Sequence, residues 1–339
     1  MAEPPSRTIS LGHGSGGLLT HDLVHEVFGS RLANPVLAAY GDSALLEVGG
    51  ARIAFTTDSF VVSPLVFPGG DIGTLAVCGT VNDLAVAGAV PRFLSLAVVL
   101  EEGFDRDLLE RIADSIARTA AAAGVLIVTG DTKVVEKGKG DGVYLNTAGV
   151  GLLRAQAPGG AATVRPGDVV LVNGPIGDHG AVIVSARSGI ELSSGLESDC
   201  APLGGLIAAL YDAGVTPRFM RDPTRGGAAG VLAELAHGGP GGVDIDELAL
   251  PVRDEVHGVC ELLGMDPLFL ANEGKVIVVV PPEQAAAALA ALRAHPHGTA
   301  AAVIGSITDA HPGKVVLRTR YGGQRLVDMP VSDPLPRIC

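Results

Sequence analysis

Strand-length and helix-length runs alternate along this chain in two series, 36–151 and 168–319, with a stretch rich in Pro, Gly and Ala, 154–167, between them. Such alternation restricts the fold to mixed architectures, because each kind of run buries its apolar face by packing on another layer. In the first series, 44–48 and 51–57 read as a hairpin around Gly49-Gly50 and 71–88 as a helix. A strand at 92–101, a helix at 105–123 and strands at 125–129 and 143–150 follow. The order β-β-α-β-α-β-β predicts a ferredoxin-like α+β layer with one sheet face still to cover, and dimerisation through that sheet would cover it. The second series predicts strands at 168–173, 275–280, 301–307 and 314–319 and helices at 181–187, 203–213, 226–237 and 283–294, a mixed α/β domain. At 339 residues the chain is long enough for two domains, and the boundary belongs in 154–167. The expected division is an N-terminal glycine-rich segment and helix (1–35), a first domain (36–153), a second (165–320) and a C-terminal arm (321–339).

The arm ends Pro330-Val331-Ser332-Asp333-Pro334-Leu335-Pro336-Arg337-Ile338-Cys339. Prolines lack a donor N–H and push their predecessors toward extended geometry, so these residues neither finish a helix nor join a central strand. A semi-rigid arm, mobile at its root, is expected. A ragged terminus is the bland account, and a reactive thiol at Cys339 is the sharper one.

With 37 acidic against 24 basic residues the formal net charge is −13, which argues against nucleic acid or an anionic membrane as partner. The longest apolar candidate for a membrane span, 84–100, is interrupted by Pro91 and Arg92, and the N-terminus carries no apolar stretch of signal-peptide type. A cytoplasmic protein is expected. The four cysteines form no CxxC pair, so thiols are expected, with Cys78 and Cys260 in the core.

Candidate chemistry sits at element ends. Asp42, Asp58, Asp83 and Asp131 are placed to converge on one site, where oxygen ligands suit Mg²⁺ bridging phosphates, and Lys133 would meet phosphate charge. Taken singly, each Asp reads instead as a turn or helix cap. The run Gly12-His13-Gly14-Ser15-Gly16-Gly17 formally matches GxGxxG but lacks the βαβ context, and reads as a loop able to fold over a ligand. No GxxxxGK[S/T] is present, so no P-loop is expected. Arg225, in Arg221-Asp222-Pro223-Thr224-Arg225-Gly226-Gly227, precedes a helix whose first N–H groups can hold an anion, although a surface turn would read the same. Glu273, in Asn272-Glu273-Gly274-Lys275, precedes a buried strand, where desolvation would raise it toward the range of a general base.

The runs HGSGG (13–17), TTDSF (56–60), CGTVNDLAVAGA (78–89), VTGDTKVV (128–135), GDHG (177–180), DPTRGG (222–227), NEGK (272–275) and PLPRIC (334–339) resemble the HypE family. That family supplies the carbamoyl dehydratase of nickel–iron hydrogenase maturation, within the superfamily of aminoimidazole-ribonucleotide (AIR) synthetases and selenophosphate synthetases. The resemblance spans essentially the whole chain. It implies a two-domain AIR-synthetase-like (PurM-like) architecture and a cycle in which a HypF-type carbamoyltransferase loads a carboxamide onto Cys339. By the same resemblance the chain would then dehydrate it to a thiocyanate with ATP and Mg²⁺, and the cyano group would pass to iron on a HypC–HypD scaffold. It further implies Asp42, Asp58, Asp83 and Asp131 as metal and phosphate ligands with Asn82 and Lys133 assisting. Gly14, Gly16 and Gly17 would form a lid, Glu273 the base, and Arg225 and His179 would polarise the oxygen or hold phosphate. A homodimer is expected. The alternatives are a synthetase acting on a free small substrate and a non-catalytic cyano-carrier.

Overall fold

In the computed structural model, residues 8–39, 41–190, 195–331 and 335–339 are described. Tyr40 and the arm residues Ser332, Asp333 and Pro334 lie outside the described residues, as do 1–7 of the expected N-terminal segment.

A glycine-rich turn leads into α1 (Leu18–Leu23), which runs through a π-turn into the single turn α2 (Ser30–Leu32). The first sheet has the order β1-β2-β7-β5-β6, from β1 (Ala44–Val48), β2 (Ala51–Phe60), β5 (Ala89–Glu101), β6 (Leu126–Val135) and β7 (Val143–Leu153). A two-stranded ribbon, β3 (Val66–Phe67) and β4 (Gly70–Asp71), precedes α3 (Ile72–Val86). Within this first sheet, among the described residues, only β5 and β6 pair in parallel, joined by α4 (Arg106–Ala123).

Sequence explains the two helices differently. Asp105 caps α4 by accepting from the N–H groups of Asp107 and Leu108, and Gly124, at φ 68°, ends it in the left-handed region. Its buried positions Ile112, Ser115, Ile116 and Ala120 fall on one stripe, as expected of a helix lying on a sheet. In α3, by contrast, 13 of 15 residues are buried, which requires cover on every side. One side packs on the sheet, where a Cβ on Gly149 would sit 2.8 Å from Leu84 and Thr80. On the other side Ala85 and Val86 pack with Leu203, Leu206 and Ile207 of the second domain.

The second sheet has the order β14-β13-β10-β12-β8-β11-β9. Its strands are β8 (Val169–Val172), β9 (Phe219–Arg221), β10 (Gly242–Asp246), β11 (Ile277–Val280), β12 (Ala302–Thr308), β13 (Val315–Arg318) and β14 (Gln324–Val327). Helices α5 (Asp178–Ser188), α6 (Gly204–Asp212), α7 (Gly227–Gly238), α8 (Asp254–Leu263) and α9 (Ala285–Ala294) complete the domain. The unbroken apolar run of β11 is explained by cover on both faces: Ile277 and Val279 join the α7 cluster, Val278 and Val280 the α6/α9 cluster.

Three readings of the sequence are corrected. The sixth strand continues past 129 to Val135, because its register with β5 persists from Leu126 to Val135. Residues 324–327, assigned above to the arm, form the edge strand β14. Strands β9 and β10 and helix α8 were not anticipated; β9 is too short to carry a periodic signal. Among the described residues no helix is long and apolar enough to cross a membrane. The first sheet leaves Phe55, Phe93, Leu126 and Leu152 exposed on the face away from α3 and α4.

Candidate active site

Four carboxylates from four separate stretches meet at the junction of the two domains. Asp42 precedes β1, Asp58 lies on β2, Asp83 on α3 and Asp222 directly after β9. They line a cavity of about 290 Å³ with Gly16, Arg221, Arg225, Glu273 and Cys339. Oxygens of Asp42, Asp83 and Asp222 lie within 4.8 Å of one another. The Thr56 hydroxyl bridges Asp83 Oδ2 (2.9 Å) and the Asp42 carbonyl (2.7 Å), fixing two of the three.

Electrostatics make the cluster costly without a cation. Burial, then the charges of Asp222, Asp42 and Asp58, push the Asp83 carboxyl well above its usual range. Burial, then Asp42, pushes Asp222 up to about 7. Burial likewise raises Asp42, although Arg221 pairs with it at 2.7 Å while also holding Glu234 at 2.8 Å. An all-oxygen, carboxylate-rich donor set fits a hard divalent cation. Asp222 is not among the candidates above, where its run reads as an anion site beside Arg225 or a surface turn. Its signal was its place at a strand end beside a proline, hidden by the shortness of that strand.

Glu273 is 2% exposed and its Oε1 has no hydrogen-bond partner among the described residues. Burial, followed by Asp222 and Asp199, pushes its carboxyl well above the usual range. The flanking residues explain how such a group is held. Asn272 accepts from the Gly177 N–H (2.8 Å) and donates to the Pro223 carbonyl (2.8 Å). Asp199 accepts from the N–H groups of Glu273 and Gly274 and from Lys275 Nζ (2.9 Å). Any Cβ at position 274 would overlap the Asp199 carbonyl, so the turn requires glycine there.

The chain end is seated in its own chain's cavity. Leu335 and Ile338 are buried, and Cys339 is 9% exposed. The Cys339 carbonyl accepts from the Val61 N–H (3.0 Å). Arg225 lines the same cavity as Cys339 and is held above its ordinary value chiefly by the charge of Cys339. The glycine loop closes over the same place: Arg225 Nη1 donates to the Gly14 carbonyl (3.1 Å), and Gly16, at φ 86°, has no room for a Cβ against Arg225. Gly17 packs on the arm, where Leu18 and Leu19 donate to the Pro330 and Val331 carbonyls.

Several expected site residues are placed elsewhere. Asn82 does not face the cavity; its amide donates to the Ala201 and Glu273 carbonyls and accepts from the Leu203 N–H. One residue along a helix turns the side chain by about 100°, which separates its role from that of Asp83. Asn82 therefore ties the first domain to the second. His179 is fully buried, with Nε2 2.9 Å from the Ile338 carbonyl and Nδ1 2.8 Å from Ser198 Oγ, so it contacts the arm. Asp131 and Lys133 pair with each other at 2.7 Å on the open face of the first sheet, outside the carboxylate cluster of their own chain. The reason is the strand extension: residues read as a loop alternate instead with β5, opposite Ala97 and Val99.

Beside the carboxylates and sharing Asp42, Arg221 and Glu234 with them, a larger and more apolar groove of about 870 Å³ runs past Leu18, Val86, Phe219 and Val327. Cys260 is pushed up to about 11 by burial, and Cys200 is raised by a hydrogen bond with Cys78 and by burial, so neither matches Cys339 in setting.

Comparison with known proteins agrees with this layout. The family described as AIR synthase related protein matches through its N-terminal domain over residues 40–153 and its C-terminal domain over 165–318. Carbamoyl dehydratase HypE of Rhodobacter capsulatus is 54% identical over 98% of both chains. That of Escherichia coli K12 is 48% identical over 98% of this chain and 99% of the other. A HypE in a HypE–HypF crystal structure is 47% identical with a TM-score of 0.86, covering 91% of this chain and 99% of that one. A HypE crystallised with ATP is 46% identical with a TM-score of 0.82, covering 98% and 100%. A ThiL bound to AMPPCP and TMP, 18% identical with a TM-score of 0.68, shares the fold alone.

Proposed function

The chain belongs to the HypE carbamoyl dehydratases of hydrogenase maturation, among the AIR synthase related proteins, and on that premise we propose that it dehydrates an S-carbamoyl group carried on its own Cys339 to a thiocyanate. The observation that carries this reading is the seating of Cys339 in a cavity shared with Glu273, Arg225 and the carboxylate triad. Asp42, Asp83 and Asp222, with Asp58 beside them, would hold Mg²⁺, and the adjoining apolar groove is the proposed place for the nucleotide base of ATP. The HypE crystallised with ATP supports that cofactor.

An amide oxygen leaves poorly as hydroxide. ATP supplies a phosphoryl group that turns this oxygen into phosphate, a good leaving group. The chain's own groups do the rest. Glu273 takes a proton from the amide nitrogen, Arg225 holds the developing negative charge on oxygen, and the second N–H proton leaves as the C–O bond to phosphate breaks and the nitrile forms. The balance is thiocarbamate plus ATP to thiocyanate, ADP, phosphate and one proton. Intact-protein mass after incubation with a HypF-type carbamoyltransferase, carbamoyl phosphate and ATP tests the reading: a carbamoyl gain followed by loss of water supports it. If the mass never changes while ATP is consumed, a synthetase for a free small substrate replaces it.

Two further parts of the proposal have their own checks. Asp222→Asn should weaken ATP binding in the presence of Mg²⁺ by on the order of tenfold or more, read by calorimetry. The same affinity in both proteins with Mg²⁺ present would remove the cation assignment. We also propose a homodimer through the open sheet face, supported by its exposed Phe55, Phe93, Leu126 and Leu152. Such pairing is the way Asp131 and Lys133 remain candidates, acting toward a neighbouring subunit. Phe93→Glu should then yield a monomer in sedimentation, and a wild-type monomer would sink the idea. Delivery of the cyano group to a HypC–HypD scaffold and a cytoplasmic location complete the proposal.

A further inference from the structure

The chain end is held by more than the cavity. Arg187, in the last turn of α5, directs its guanidinium at three main-chain carbonyls: Nε donates to Ser63 (2.6 Å), Nη1 to Pro336 (2.6 Å) and Nη2 to Arg337. Eight residues earlier on the same helix, about 12 Å along its axis, His179 meets the Ile338 carbonyl. One helix thus grips the arm at both ends. Arg337 itself sits at φ 59°, a left-handed conformation that a residue with a side chain keeps only where contacts hold it. Its own side chain is tied to the Val61 carbonyl (2.9 Å) and to Asp141. The seated arm is therefore strained and pinned rather than relaxed.

We propose that Arg187 is the latch that sets the balance between the seated arm, with Cys339 turned into the cavity, and a released arm whose thiol a carbamoyl donor can reach. The functional significance rests on the dehydratase reading; the seating itself does not. Three features select Arg187 over the other contacts. Its donors are fixed in a planar fork that meets the Ser63 carbonyl of the body and two carbonyls of the arm at once, which a lysine ammonium cannot reproduce. Its side chain lies at the solvent surface, so it can let go without opening the core. The carbonyls of Pro336 and Arg337 flank the strained residue, so loss of the fork frees the strain where the arm must turn outward. Arg187 is a positioning residue, acting on Cys339 through the main chain of its predecessors.

Alkylation by iodoacetamide, quenched at intervals and mapped by peptide mass, reads the seated fraction directly in the full chain. The wild type should label slowly at Cys339. Arg187→Ala should label there at least roughly tenfold faster, with Arg187→Lys in between, while buried Cys78 and Cys260 remain as protected as in the wild type. In turnover of the carbamoylated chain, Arg187→Ala should lower the dehydration rate with an unchanged KM for ATP. An unchanged Cys339 rate overturns the latch, and so does faster labelling of all three cysteines, which would mean general loosening. Should Arg187→Ala fail to fold, Arg187→Lys carries the same comparison. Faster labelling of Cys339 without any ATP-dependent loss of water in the wild type would leave the latch standing and remove the dehydratase reading.

Discussion

Cys339→Ala should abolish both mass changes, the carbamoyl gain and the loss of water, although the chain still folds and still seats its end. Main-chain contacts of Cys339, Arg337 and Ile338 and the buried side chains of Leu335 and Ile338 contribute to the seating without the sulfur. What disappears is the nucleophile itself, so the loss should be complete rather than graded. A thiol is required because the thiolate attacks the carbamoyl donor and because sulfur leaves the nitrile carbon open to later transfer. Cysteines elsewhere do not substitute: Cys78 and Cys260 are buried, and Cys200 is held as a thiol by its hydrogen bond with Cys78 and by burial. If the Ala variant still consumes ATP and releases a modified small molecule, the chain end is incidental and the synthetase reading takes over.

Glu273→Gln should lower dehydration of the loaded chain by about 10²–10⁴-fold, with carbamoyl loading intact. The two side chains have nearly the same shape, so the substitution tests charge and basicity. It should also leave the fold at least as stable, because a buried carboxyl lacking a partner on one oxygen and surrounded by Asp222, Asp199 and Asp58 resists ionisation. The pH dependence follows from the direction of the shift. A base must be unprotonated, and the Glu273 carboxyl is raised well above its usual range, so the wild-type rate should climb as pH rises through that raised value. In the Gln variant the residual rate should lose this limb. Rates measured from mass against time over a pH series decide it, and an equal limb in both proteins would assign the base elsewhere.

The sign for stability is opposite. Carboxyls raised on folding bind more protons in the folded than in the unfolded state, so their contribution is present at low pH and lost as pH rises. For Asp222 that window runs from the ordinary carboxylate range to about 7. The contribution of Asp222 is thus lost by about pH 7, and a cation at the triad would offset the repulsion that remains.

Much of this was legible in the sequence because it depends on local order. Alternating runs and the Pro/Gly-rich break at 154–167 specified two mixed layers, Gly124 and Asp105 bounded a helix, and strand-end placement marked Asp58. The motifs around Asp42, Asp83, Arg225, Glu273 and Cys339 named residues that the fold brings together. Tertiary structure alone decided which way side chains point once elements are packed. Asn82 and Asp83 are neighbours in one motif, yet one helical step sends the first to clamp the second domain and the second into the cavity. Asp131 looked like Asp58 until the strand proved six residues longer and its register turned the side chain to the open face. Asp222 joined the cluster because a three-residue strand, silent in any periodicity, carried it across the domain junction. Sequence sets period and chemistry within a segment; direction and partnership depend on helix phase, strand register and docking, which are fixed by contacts between residues far apart in the chain.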